Sequence, residues 1–140
     1  MTAVLGEFFA ADPTKIDNGL LDDGPAGRYP VVEAKTVDPV SISTLGEILG
    51  VGSYDELIDE VSKGPMAASG EAGIFTVPST MRDALAASGL DVATIAERWH
   101  RTEELAAWRS DDVRAVVRDL AALAGRAAAE SRELFFWWSL

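Results

Sequence analysis

The sequence predicts an α+β fold, with a small mixed β-sheet holding the amino- and carboxyl-terminal strands against a cluster of helices. Three observations carry this. A stripe of apolar residues at steps of three and four runs from Val113 to Ala127 and marks one long amphipathic helix. A run that is apolar on both faces, Leu134 to Leu140, follows it, and a second such run, Ala3 to Ala10, opens the chain. Between them the β segments are short, scattered and outnumbered by helices, which argues for α+β rather than regular βαβ alternation. A length of 140 residues with no internal repeat suits one compact domain, 1–140.

Taken in order, Ala3 to Ala10 reads as a strand with Val4, Gly6 and Phe8 on one face and Leu5, Glu7 and Phe9 on the other. Asp12 then caps a short helix with Pro13 at its first position, carrying Ile16, Leu20 and Leu21 and weakened by Asn18-Gly19. Asp22 to Gly27 is a loop on its Gly and Pro content. Tyr29 to Val37 alternates imperfectly and suits a half-polar strand near a sheet edge, ended by Asp38-Pro39. Thr44 and Glu47 have capping-box spacing before Ile48-Leu49, and Ser53 with Glu56 forms a cleaner box for a helix to Lys63 that buries Leu57, Ile58 and Val61. Gly64 to Gly73 is a surface loop, and Ile74 to Val77 a short strand closed by Pro78. Ser79 and Asp91 cap two further helices, the second with Val92, Ile95 and Trp99 on its apolar side. Ser110 is the natural N-cap of the long helix, Asp111 and Asp112 suit the positive end of its dipole, and the helix runs to about Ala129.

Charge and composition narrow the function classes. The net charge of −11 disfavours nucleic acid and anionic membrane as partners, both of which select Lys/Arg surfaces. Residues 1–78 hold 13 acids against 4 bases, a net of −9, while residues 79–140 hold 10 against 8, a net of −2. The acidic field therefore belongs to the first half, and a basic partner is expected on that side, with Asp22, Asp23, Asp55, Glu56, Asp59 and Glu60 as candidate contacts. No cysteine is present, so neither a disulfide framework nor thiolate chemistry is available. Met1 to Ala10 lacks the positive charge that precedes the apolar core of a secretory signal, and a cytoplasmic location is the expectation. The wealth of alanine and arginine has the look of a bacterial chain from a GC-rich genome.

Candidate chemistry is sparse. His100 is the single histidine, with Glu103 and Glu104 three and four residues on, spacing that lets a carboxylate touch the imidazole on a helix surface and that a general base could use. Without a second histidine no ordinary zinc site exists. Asp12, Asp17, Asp22 and Asp23 lie about five apart and miss the register of a calcium loop, so no metal is expected. Glu7 is a carboxylate within an apolar strand. If both faces are buried it needs a partner, for which Arg28, Lys35 or an arginine of the last helix are the candidates; otherwise it is exposed at the strand end, or is a group whose pKa burial has shifted for catalysis. Glycine-rich phosphate loops and a serine nucleophile motif are absent, so no cofactor is expected. Trp99 and Trp108 are nine apart and would point to opposite sides of one unbroken helix, leaving one of them, Trp108, for an interface.

The ends of the chain resemble small bacterial proteins of uncharacterised function, broadly YfbM-like. The likeness rests on Val4-Leu5-Gly6-Glu7-Phe8-Phe9-Ala10-Ala11-Asp12, on Thr102-Glu103-Glu104-Leu105, and on Asp112-Val113 with the long helix and Leu134-Phe135-Phe136-Trp137-Trp138-Ser139-Leu140. It covers roughly the first dozen and last forty residues and implies a compact α+β fold without an activity or a site. The functional expectation is thus an acidic, non-enzymatic module that binds a basic protein, in the manner of an immunity protein, an antitoxin or a regulatory subunit. Two alternatives stand beside it: a homo-oligomer built through the aromatic carboxyl-terminal strand, and a small hydrolase or isomerase using Glu7 or His100, with Glu103.

Overall fold

A computed structural model describes residues 5–140. Four strands, β1 (Leu5–Ala11), β2 (Val31–Glu33), β3 (Ala72–Val77) and β4 (Glu133–Ser139), form one sheet in the order β2-β1-β4-β3. Every neighbouring pair is antiparallel, so the sheet is not the mixed one expected. The α+β class itself holds. β1 and β4, from opposite ends of the described chain, pair over their whole length from Leu5 with Ser139 to Ala11 with Glu133. Being apolar on both faces, they take the two central positions, and each strand is covered on both sides.

Period-two alternation splits the core in two. Phe8, Ala10, Leu134 and Phe136 point to the side that carries α2 (Pro39–Ile48), α3 (Tyr54–Ser62), α4 (Ser79–Ala86), α5 (Val92–His100) and α6 (Ser110–Ala129). Phe9, Ala11, Phe135 and Trp137 point the other way, onto Leu20 and Leu21 of α1 (Asn18–Asp23). α6 supplies Val113, Val116, Val117, Leu120, Leu123, Ala124 and Ala127 to the larger core, the stripe that its spacing predicts. Two tryptophans fasten the helices to their layers. The buried Trp99 Nε1 donates to the Ser41 carbonyl at 3.0 Å, and Trp137 Nε1 donates to the Leu21 carbonyl at 2.8 Å. A Cβ at Gly24 would stand 2.9 Å from the Trp137 ring, and the residue has φ +82°, so glycine there both turns the chain and makes room for the indole.

Several boundaries differ from expectation for local reasons. Asp12 caps only a 3-10 turn, Pro13–Lys15; a second carboxylate, Asp17, then caps α1 by accepting from Leu20 N at 2.8 Å. Asp22 and Asp23 belong to α1 rather than to a loop. β2 is three residues long because the chain turns after Ala34, Thr36 adopting φ 69° and Val37 folding back into the larger core. Asp38 is not a strand stop but the N-cap of α2, with Pro39 behind it, while Thr44 lies inside that helix and donates to the Val40 carbonyl. Ser79 and Ser110 are the first residues of their helices, and neither helix has a side-chain cap. The Ser53–Glu56 box and the Asp91 cap form as read. Of the first strand, Ala3 and Val4 lie outside the described residues.

Candidate functional site

Glu7 sits at 8% exposure on the α1 side of β1, with Trp137 beside it on β4 and Glu33 beside it on β2. Ala34 N donates to Gly6 O at 2.9 Å, which makes that pair a hydrogen-bonded one. The next pair, Glu7 with Glu33, is therefore of the non-hydrogen-bonded kind, in which the Cα atoms are about 4.5 Å apart and the side chains are closest. The anticipated cationic partner of Glu7 is not there. Arg28 is held by Asp17 at 2.9 Å, Lys35 is exposed in the turn, and the arginines of α6 lie across the sheet. Burial and, secondarily, the facing Glu33 carboxylate hold the Glu7 pKa above the ordinary glutamate range. Sequence reasoning missed Glu33; its alternation with Val31 gives its face, but only the register gives its neighbour.

His100 forms no pair with a carboxylate among the described residues. It ends α5, and its Nε2 lies 2.8 Å from the Trp108 carbonyl, so that nitrogen carries the proton and donates. This bond ties the 3-10 turn Glu103–Leu105 and the approach to α6 back onto α5. Glu103 is exposed, and Glu104 Oε1 lies 3.3 Å from Thr44 Oγ1, whose proton goes to the Val40 carbonyl. Glu7 and His100 lie on opposite sides of the sheet, so the catalytic constellation of Glu7, His100 and Glu103 does not assemble. Trp99 and Trp108 also do not share a helix. Trp108 follows the turn, is half-buried, and donates from Nε1 to Thr36 Oγ1 at 3.2 Å.

The two edges of the sheet are treated differently. Along β3, Thr76 Oγ1 donates to Lys63 O at 2.8 Å, Ile74 N to Pro65 O at 3.0 Å, and Ala67 N to Ala72 O at 2.9 Å, so the loop after α3 covers that edge. The β2 edge has no such cover among the described residues. It borders an open cleft of about 500 Å³, floored by Val32, Glu33, Ala34 and Lys35 and walled by Trp108, Asp112, Val116 and Asp119. Comparison with family models, curated proteins and solved structures finds no match.

The acidic candidates fall on the two helices that flank β3. Asp55, Glu56, Asp59 and Glu60 are exposed on α3, and none is in an ion pair among the described residues; Glu56 serves only its own cap. Asp22 and Asp23 are exposed at the end of α1, on the other face of the sheet. Of the eight arginines in residues 79–140, Arg82, Arg101, Arg118 and Arg132 each engage a carboxylate, and the other four are in no ion pair among the described residues. The aromatic strand β4 has both edges hydrogen-bonded to β1 and β3, so it offers no edge to a second copy. Among the described residues no helix is long and apolar enough to cross a membrane, and no group of three potential ligands is placed to hold a metal.

Proposed function

We propose that this chain is an acidic interaction module that binds a basic protein, as an immunity protein, an antitoxin or a regulatory subunit does. The observation that carries the reading is the run of four exposed carboxylates without ion pairs on one helix, Asp55, Glu56, Asp59 and Glu60 on α3, with Asp22 and Asp23 likewise unpaired on α1. Unpaired like charges on one helix repel each other and cost stability. A helix that carries four of them is suited to attracting opposite charge from a distance.

Such a field acts mainly on the association rate and weakens as salt shortens the screening length to about 8 Å at physiological ionic strength. The test is stopped-flow or surface binding to a basic protein captured at low salt. The association rate falls several-fold between about 50 and 300 mM salt. Replacing Asp55, Glu56, Asp59 and Glu60 together by the matching amides flattens that dependence. An association rate that ignores both salt and the four substitutions refutes the reading.

A further inference from the structure

We infer that the open edge of β2 is where this partner docks: a short extended segment bearing Lys or Arg adds to the sheet as a fifth strand beside Val31–Glu33. The inference rests on the proposal that the partner is basic, and puts the contact at the sheet edge opposite β3, with the α3 carboxylates acting on the approach rather than in the contact. Its first support is the ladder. Since Ala34 bonds to Gly6, the even residues of β2 turn their backbone groups toward β1, and Val31 and Glu33 turn theirs outward. Those N–H and C=O groups have no backbone partner among the described residues and form a ready template for strand addition. The opposite edge of the same sheet is covered by the loop after α3, so the exposure is confined to one side.

Charge selects the occupant. Across the sheet Trp137, Glu7 and Glu33 form one cross-strand row. The next position outward in that row, on an added strand, lies beside Glu33 and within reach of Glu7, whose side chain has no hydrogen bond among the described residues. A Lys or Arg there meets both acids. Side chains of the added strand that alternate with it enter the cleft, against Trp108, Val116 and Asp112, where an apolar residue fits. Lys35 is the one base in the cleft lining, and Asp119 is already held by Arg118 at 3.1 Å. A second copy of this chain is a poor occupant, because it would bring another Glu33 to the row and another net charge of −11. The fitting segment alternates cationic and apolar residues over about five positions.

The experiment uses the full, isotope-labelled chain and three capped peptides followed by amide NMR: Lys-Val-Lys-Val-Lys, its charge twin Lys-Pro-Lys-Pro-Lys, and Glu-Val-Glu-Val-Glu. The first is expected to shift the Val31, Glu33 and Trp108 indole signals, slow exchange of the Val31 and Glu33 amides, and bind at least about ten-fold more tightly than the proline twin. Glu33→Gln, at an exposed side chain, should weaken it about three- to ten-fold without altering the rest of the spectrum. Salt-sensitive binding of Lys-Val-Lys-Val-Lys that shifts α3 and leaves β2 untouched overturns edge docking and leaves the acidic-module proposal standing. Equal binding of the two cationic peptides at β2 overturns strand addition. No salt-sensitive binding of either at millimolar concentration overturns both proposals.

Discussion

Trp137 and Trp138 are adjacent and chemically identical, yet they should respond very differently to the same substitution. Trp137 is 3% exposed, lies over Gly24, and donates its indole N–H to the Leu21 carbonyl at 2.8 Å. Trp137→Phe removes roughly two ring carbons from a closed site, about 1.5 kcal/mol at 0.8 kcal/mol per buried carbon. It also orphans a buried carbonyl, worth about 1–3 kcal/mol. The expected loss is about 2.5–4.5 kcal/mol. Trp138 points to the helix side, is half-buried and stacks on Phe75 with ring centroids 6.1 Å apart, with no indole hydrogen bond among the described residues. Trp138→Phe should therefore cost about 1 kcal/mol or less. Urea denaturation followed by circular dichroism measures both, and hydrogen exchange should show α1 loosening in the first variant alone, because that bond anchors the helix. Equal losses in the two variants, or a loss below 1 kcal/mol for Trp137→Phe, would refute the assignment of the Leu21 bond as the anchor of α1.

Three other predictions concern single groups. Glu7 is protonated more readily in the folded than in the unfolded chain, so stability falls as pH rises from the ordinary glutamate range through its raised native pKa, and stays lower above it. Glu7→Gln should remove that falling limb, gaining stability at neutral pH and nothing in acid, as read from urea midpoints across pH. The Ser43 hydroxyl is buried in α2 without a partner among the described residues, so Ser43→Ala should raise stability by about 0.5–1.5 kcal/mol; a loss would reveal an unseen partner. His100→Ala should cost about 1 kcal/mol and speed exchange in residues 102–109, and ring-nitrogen NMR of the parent should find the proton on Nε2.

The helical part of the fold was legible because its signals are local. The α6 stripe, the Ser53 box and the Asp91 cap are complete within a few residues, as is the two-sided apolarity that sends β1 and β4 to the sheet centre. The misses are of two kinds. Residue type alone does not place a cap, and Thr44 and Ser110 have the right type in the wrong place: Asp38 with Pro39 has the stronger claim on α2, and α6 starts where the turn held by His100 delivers the chain. Strand direction and register depend on partners distant in sequence, so an all-antiparallel sheet and the meeting of Glu7 with Glu33 could not be read from alternation alone. The open β2 edge was visible only as half-polarity, and the cleft beside it not at all, since α6 contributes its wall from eighty residues further on.

The pairing of β1 with β4 also sets a timetable. Ala11 and its partner Glu133 are separated by 122 positions, so during synthesis at about 5–20 residues per second the apolar Leu5–Ala11 segment waits roughly 6–25 seconds for its mate. Throughout that wait Leu-Gly-Glu-Phe-Phe-Ala-Ala is a sticky segment in a crowded solution, and Glu7 is the one charge within it. The same carboxylate that burdens the finished molecule thus guards the unfinished one. Glu7→Gln should give a more stable protein in the cuvette and a poorer soluble yield from the cell.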